Sequence, residues 1–212
     1  VSTADTQLSF SKMLGYEELQ KANFRYAMKA RNASMSPSAI AIHLGLDDQV
    51  DLKKLGFDCG YNVLTTGHQS FEQKFNDWEN GIYRTSDTCF HFGVISSSAI
   101  TGGKPNLVIH VVPVFADSWI ELRKTDYKKY LQEKQKVAFF YIQKVEEYMI
   151  PDLSHHIKFI DVSTPATYSR FIGSPTGSNY DMMPVPGNFG KNRLKSRTPI
   201  KNLFHPKFSH GI

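Results

Sequence analysis

The 212-residue chain has little cysteine and no long apolar run. Two cysteines, Cys59 and Cys89, cannot build the disulfide framework that stabilises small secreted proteins. No apolar segment approaches the ~18–20 residues that a membrane-crossing helix needs, and no basic-then-apolar signal segment opens the chain. We therefore expect a cytoplasmic protein, with peripheral contact to a membrane as an alternative.

Short catalytic motifs are also missing. The sequence contains no G-x-G-x-x-G, Walker A, G-x-S-x-G, H-E-x-x-H or paired C-x-x-C motif. His155 and His156 are neighbours at a predicted helix-to-strand junction, where alternating side-chain directions keep both rings from reaching one ion. The sequence offers them no evident carboxylate or cysteine partner. We therefore predict no metal site.

The other histidines give only weak indications of a site. His91 and His110 lie in two predicted neighbouring strands, where they can face each other, and we interpret them as sheet residues with ordinary partners. His205 and His210 flank a short segment near the end of the chain and are candidates for ligand contact. Pro206 excludes the helical spacing that a metal-binding histidine pair would use there.

Acidic residues are absent after Asp181. The segment 182–212 carries six basic residues, whereas the rest of the chain is nearly balanced; they are Lys191, Arg193, Lys195, Arg197, Lys201 and Lys207. A basic segment that also contains proline and glycine suits nucleic acid, anionic lipid or a phosphate-bearing cofactor. The plain alternative is a solvated, irregular segment.

The composition is that of a folded globular chain, with 41% hydrophobic and 21% charged residues. Hydrophobic periodicity and helix-ending residues predict helices over 4–14, 16–30, 71–79, 125–150 and 164–171. Ser2 or Thr3 is the predicted cap of the first helix, and Leu19, Ala22, Tyr26 and Ala30 form the apolar face of the second.

Strands are predicted over 38–46, 60–66, 89–97, 106–115 and 156–162, with a hairpin-type linker over 99–105. From residue 173 onward glycine, proline, serine and asparagine dominate, which predicts loops. The order of elements predicts an α+β fold with a mostly antiparallel sheet.

Five segments resemble the phytoene dehydrogenase-like flavoproteins, the family of carotenoid desaturases and isomerases and of retinol saturase-related enzymes. Three lie in the C-terminal part: T-P-A-T at 164–167, G-S-P-T-G-S-N-Y at 173–180 and R-T-P-I-K-N-L-F at 197–204. Near the start, V-S-T-A-D at 1–5 resembles a strand end of that family, and residues 36–47 resemble its next strand, which ends in L-G-L-D.

The resemblance implies an FAD-dependent oxidoreductase that acts on C–C bonds of an apolar polyene or isoprenoid. In that family the flavin domain is discontinuous. Residues 1–15 and 180–212 then correspond to segments of a Rossmann-like FAD domain, and 16–179 to the substrate-binding domain. The resemblance also implies that the sheet and the long helix form one wall of an apolar tunnel for a polyene. The dinucleotide-binding half is expected ahead of this chain, as its partner, so the fragment alone is expected to hold no FAD and to be inactive.

The same resemblance assigns Arg197, Gly211 and Ile212 to cofactor binding, and it assigns no catalytic residue. Two positions depart from the family pattern. Asp181 stands where the family usually has glycine, and residues 205–210 replace a glycine-rich turn. Glycine permits close approach of a backbone to a flavin, so the loss of glycine at both places disfavours that approach.

Two other interpretations stay open. In the first, the chain is a non-catalytic module that holds an apolar ligand or a partner. In the second, it binds nucleic acid or an anionic membrane through its basic tail. An apolar cavity formed wholly by this chain would favour the first. Salt-sensitive binding would favour the second. Because basic and aromatic residues do not alternate as in single-strand nucleic-acid platforms, we expect no nucleic-acid partner.

Overall fold

The computed structural model describes residues 1–57, 61–65, 72, 91–114, 116–183, 185–188 and 190–205. The chain divides into two compact units. Unit 1 combines Val1–Ser38 with Pro165–Ile212, and unit 2 is Ala39–Thr164. The assignment of 1–15 and 180–212 to a flavin domain and of 16–179 to a substrate domain stays a prediction.

Seven α-helices and five β-strands are found in the described ranges. The helices are α1 Tyr16–Ala22, α2 Phe24–Arg31, α3 Ser98–Thr101, α4 Asp117–Thr125, α5 Tyr127–Tyr148, α6 Leu153–His156 and α7 Pro165–Phe171. The strands are β1 Ser38–Leu46, β2 Tyr61–Thr65, β3 His91–Ile95, β4 Asn106–Val114 and β5 Ile157–Ser163. A π-helical segment, Leu8–Met13, precedes α1, and two 3-10 turns, Pro186–Asn188 and Gly190–Asn192, follow α7.

The five strands form one antiparallel sheet in the order β2-β3-β4-β1-β5, which confirms the predicted α+β class. In the β1–β5 ladder Ile42 lies opposite Val162, and the register shifts between Gly45 and Leu46. Strand β5 is one edge of the sheet, so its outer backbone groups are not paired within this sheet.

The core of unit 2 forms from apolar residues of the inner strands and of α5. The ring of Phe92 on β3 meets the ring of Tyr141 on α5 edge to face, with centroids 5.3 Å apart. The fully buried set on β1, β4 and α5 includes Ile40, Ile42, Leu44, Leu107, Ile109, Val111, Val137, Tyr141 and Val145. Burying each such aliphatic side chain contributes about 1.5–3 kcal/mol, so this set fixes α5 on the sheet.

Unit 1 has its own core, made by residues far apart in sequence: Phe10, Leu19, Ala27, Ala30, Ala33, Met182 and Leu194. Leu194 lies in the basic segment, which is therefore anchored on the N-terminal helices although it is largely irregular. Tyr26 adds a second anchor, because its hydroxyl donates to the Lys195 carbonyl across 3.0 Å. Burial raises the pKa of the Tyr26 hydroxyl to about 12.

The N-terminal helices differ from the sequence prediction at three places, two of them helix caps. The single helix over 16–30 is wrong: Asn23 interrupts it, and its side chain accepts a hydrogen bond from the Tyr26 N–H at 2.9 Å to begin α2. Ala22 is exposed rather than on the buried face. Asp5, not Ser2 or Thr3, caps the first helix by accepting from the Leu8 N–H at 3.0 Å.

Helix α4 was not predicted, because one buried residue, Trp119, gives it little apolar periodicity. The strand predictions agree with the observed bounds to within about two residues, as boundary fraying allows. Of the predicted helix 71–79 the structure describes only Glu72, which is helical; Cys59, Cys89 and the other residues of that helix lie outside the described residues. Within the described part of the chain, no helix has both the length and the apolarity to cross a bilayer.

Candidate functional site

An open apolar groove lies on unit 2 between helix α5 and edge strand β5. It encloses about 710 Å³. The helix supplies Leu131, Lys134, Gln135, Lys136, Ala138, Phe139 and Ile142, and the strand supplies Ile160, Asp161 and Val162. This volume is within the ~300–1,000 Å³ typical of small-molecule sites.

Helix α5 carries two apolar stripes, and the groove uses the second one. The first stripe, which contains Tyr141 and Val145, is buried against the core. The second follows helical spacing through Leu131, Ala138 and Ile142, which lie on one face of the helix. Ala138 and Ile142 are buried but Leu131 is 40% exposed, so the protein covers the apolar wall formed by this second stripe only in part.

Large apolar side chains remain exposed at the groove. Phe139 on α5 is 63% exposed and Ile160 on β5 is 49% exposed. Isolated exposed apolar residues are common, but a contiguous set around a concave surface marks a ligand or partner site. Sequence reasoning did not single out Phe139. The signal that could have found it is its helical spacing, eight residues after Leu131 and three before Ile142.

Charged residues line the same groove. Lys136 donates to the Glu133 carboxylate at 3.0 Å, one turn earlier on α5. Lys134 is partly buried, and Asp161 on β5 is exposed. In the part of the chain that the structure describes, neither Lys134 nor Asp161 forms an ion pair. The groove is therefore apolar on its walls and carries a cation on the helix side.

A polar cluster joins the end of β1 to the start of β5. The Nδ1 of His156 lies 3.1 Å from Asp47 Oδ1, and the Nζ of Lys158 lies 3.6 Å from Asp47 Oδ2. Desolvation raises the pKa of the Asp47 carboxyl, but hydrogen bonds from the Gln49 N–H and from His156, with the charges of His156 and Lys158, outweigh it and lower that pKa. The cluster fixes the β1–β5 junction.

His155 does not share a partner with His156. It lies beside Glu146 and Asp152, and the potential ligand atoms of these three residues are all within 4.8 Å of one another. Sequence reasoning missed these carboxylate partners, because the turn before α6 brings Asp152 back toward α5. His155 and Asp152 are exposed, and the Ser154 hydroxyl donates to Glu146. The prediction of no metal site stays a prediction.

The histidines of the sheet are placed differently from the expectation. His110 on β4 lies opposite Gly93, not opposite His91, which pairs with Thr65. Burial and the nearby His43 on β1 lower the pKa of the His110 imidazole. His110 is thus a sheet residue whose surroundings disfavour the charged imidazolium.

Segments that carry the family resemblance meet in unit 1. The Ser2 N–H donates to the Phe204 carbonyl at 2.8 Å, which joins residues 1–5 to residues 197–204. The Tyr180 N–H donates to the Ser36 hydroxyl at 2.9 Å, and the hydroxyls of Ser36 and Ser178 are 2.7 Å apart. These bonds hold the segment at 36–38 against the loop at 173–180.

Asp181, the first departure from the family pattern, is engaged within the protein. Its backbone is left-handed, with φ 63°, a conformation that aspartate tolerates better than most residues. Its carboxylate accepts from the Thr6 hydroxyl at 2.6 Å and from the Thr6 N–H at 3.2 Å. Desolvation raises the pKa of the Asp181 carboxyl, and the negative charge of Asp5 raises it further. The hydrogen bonds from Thr6 lower this pKa but do not outweigh the desolvation.

His205, which begins the second departure, is buried. Its Nε2 donates to the Ala4 carbonyl at 2.9 Å, and its ring packs on Phe10 with centroids 5.2 Å apart. The bond requires the Nε2-protonated form of the ring. Together, Asp181 and His205 bind residues 4–6 of the N-terminal segment, so each of these two residues serves contacts within unit 1.

The predicted cofactor residues are placed only in part. Gly211, Ile212 and His210 lie outside the described residues. Arg197 is exposed and pairs through its backbone with Phe204. Lys195 and Lys201 are exposed as well, and acidic residues are absent from this segment of the sequence. A guanidinium and two ammonium groups without acidic neighbours in sequence suit phosphate oxygens, so this donor set fits the diphosphate of FAD in its charge.

Comparison with known proteins gives one distant relationship. No protein-family model matches the chain. Over 185 residues the chain is 28% identical to prolycopene isomerase, chloroplastic, of Arabidopsis thaliana. The alignment covers 87% of this chain and 28% of the isomerase, so the chain spans little more than a quarter of the length of this curated relative. The chain is therefore distantly related to a prolycopene isomerase.

Proposed function

We propose that this chain is the substrate-binding portion of a flavin-dependent oxidoreductase that acts on C–C bonds of an apolar polyene or isoprenoid. The observation that carries the proposal is the apolar groove between α5 and β5. Its volume, its apolar walls and the exposure of Phe139 and Ile160 suit a long hydrocarbon ligand. The distant relationship to a prolycopene isomerase supports the same ligand class.

FAD is the proposed cofactor of the complete protein, held by unit 1 together with a dinucleotide-binding half of the same polypeptide. Arg197 and the neighbouring lysines are the groups of this chain that would face the phosphates. When bound, the flavin supplies the acceptor or donor of a hydride at an allylic carbon. The residues of this chain bind the substrate, orient it and exclude water. The chain alone is expected to be inactive.

Equilibrium binding of retinol, an uncharged polyene whose fluorescence rises in apolar surroundings, tests the proposal. We expect saturable binding to the 212-residue chain. Ile160→Arg places a charge in the groove, so it should weaken binding by roughly tenfold or more, because burying an unpaired charge is costly. Phe171→Ser is the matched control, since Phe171 is 75% exposed on unit 1 and lies outside the groove. Equal loss in both variants, or no saturable binding, would contradict the proposal.

A second candidate is a non-catalytic module that binds an apolar ligand. The observation in its favour is that every residue lining the groove belongs to unit 2, so the groove needs no other unit for its walls. The genomic sequence encoded ahead of Val1 separates the two candidates. A glycine-rich βαβ unit there supports the oxidoreductase, and its absence supports the module.

A further inference from the structure

Lys134 stands out among the groove residues because it is a cation, partly buried beside apolar side chains. It follows Leu131 by three residues and precedes Ala138 by four, so all three share one face of α5. No carboxylate of the described chain lies within 4.0 Å of its Nζ. Lys136, the other lysine of the groove, is already paired with Glu133.

The energetics of charge burial indicate what Lys134 does. A ligand that fills the groove displaces water from the Lys134 side chain, and this loss destabilises an ammonium group unless an anion replaces the lost hydration. Asp161, on the strand wall, is exposed and forms no ion pair with Lys134. The helix wall thus offers an uncompensated cation to whatever occupies the apolar groove.

We propose that the groove takes an isoprenoid or polyene that ends in a carboxylate, with the carboxylate paired to Lys134 and the hydrocarbon chain lying along Leu131, Ala138 and Ile142. This inference rests on the proposed function, since it names the substrate class of the same groove. It predicts a preference by the charge of the end group, which a purely apolar groove would not show.

Three ligands with the same tail test this preference: geranylgeranoic acid, geranylgeraniol and geranylgeranylamine. Each is titrated into the 212-residue chain by isothermal calorimetry below its critical micelle concentration. The acid should bind roughly five- to tenfold more tightly than the alcohol. The carboxylate–Lys134 pair is partly desolvated, so its contribution to the binding free energy lies between that of an exposed ion pair and that of a buried charge-assisted hydrogen bond. The amine should bind most weakly.

Variants assign the preference to one residue. Lys134→Met keeps the side-chain length and apolar stem, so it should remove the advantage of the acid while leaving alcohol binding within about twofold. Lys134→Arg should restore the advantage. Lys136→Met is the matched control, since that lysine lines the groove but is paired with Glu133, and it should leave the advantage in place. Circular dichroism establishes that each variant is folded.

The outcomes separate this inference from the proposed function. Equal binding of acid and alcohol, tightest binding of the amine, or an advantage that survives in Lys134→Met overturns the inference and leaves an apolar ligand site standing. Absence of binding by all three ligands overturns both proposals.

Discussion

The hydroxyl of Thr6 donates a hydrogen bond to the Asp181 carboxylate across 2.6 Å, and the Thr6 N–H adds a second bond at 3.2 Å. These two residues are 175 positions apart, and both belong to unit 1. The pair therefore closes the unit by joining its N-terminal segment to the loop that follows α7. The closure depends on the carboxylate of Asp181.

Replacing Asp181 by asparagine should change the pH dependence of stability. Burial raises the pKa of the folded-state carboxyl above its ordinary value, so the folded chain holds this proton after the unfolded chain has released it. Wild-type stability should therefore fall as the pH rises through the interval between the two values. Asp181→Asn removes the titrating carboxyl, so the free energy of unfolding of the variant should fall less over the same pH interval. Urea unfolding of both proteins at about pH 4 and about pH 7 measures the difference.

Asp152→Asn controls for the substitution itself, since Asp152 has the same left-handed backbone, with φ 60°, but is exposed. An identical pH dependence in wild type and Asp181→Asn would refute the proposed origin of the fall. Thr6→Val should destabilise the chain by about 1–3 kcal/mol in urea unfolding at neutral pH, because it removes a donor from a partly buried carboxylate.

Gly177 should tolerate alanine much less than Gly190 does. Both have a positive φ, 61° and 55°, so alanine at either position carries the strain of a left-handed backbone, about 1–2 kcal/mol. A Cβ at Gly177 would also lie 2.6 Å from the Pro165 carbonyl oxygen, whereas the space at Gly190 is open. We expect Gly177→Ala to cost about 1–3 kcal/mol more than Gly190→Ala in urea unfolding. Equal costs would show that the loop moves freely away from α7.

The sequence locates most of the sheet, for reasons that particular strands make clear. Strand β1 coincides with the prediction because S-A-I-A-I-H-L-G-L is a continuous apolar run with turn residues before and after it. Helix α5 is found because its first apolar stripe is long. The sequence did not reveal the break at Asn23. An asparagine caps a helix only when its side chain accepts a hydrogen bond from a backbone N–H of the next turn, and that bond is seen only in the structure.

The site was predictable only in outline. The resemblance placed a substrate cavity against the sheet and the long helix, and the groove lies between α5 and β5. Its individual residues were not predictable, because Lys134 and Ile160 lie on separate elements that line one groove only in the folded chain. Likewise, Asp47 and His156 are 109 positions apart, and no local pattern relates them.

Tyr130→Phe should destabilise the chain by about 1 kcal/mol, because the Tyr130 and Thr164 hydroxyls form a buried hydrogen bond of 2.9 Å. Tyr127→Phe is the control on the same helix. Tyr127 stacks on Tyr130 but is 55% exposed, so its loss of a hydroxyl should change stability by less than about 0.5 kcal/mol. Thermal and urea unfolding of the two variants give the comparison, and equal effects would remove the role assigned to the bond.

His156→Phe should raise the pKa of the Asp47 carboxyl, because it removes a hydrogen bond and a charge that lower that pKa. The stability that Asp47 contributes is present above its ordinary pKa and is lost as the pH falls through the lowered value. The variant should therefore shift this loss to higher pH. His155→Phe, the neighbouring control, leaves the Asp47 contacts intact. Carboxyl-carbon NMR titration of Asp47 decides the matter, and an unchanged titration in His156→Phe would contradict the assignment.

The most direct measurement of the central claim is photo-crosslinking of the 212-residue chain with an uncharged isoprenoid alcohol that carries a diazirine, followed by peptide mapping. The account predicts adducts on α5 and β5, at or beside Phe139 and Ile160, that excess retinol suppresses. Adducts confined to unit 1, or adducts that retinol does not displace, would contradict it.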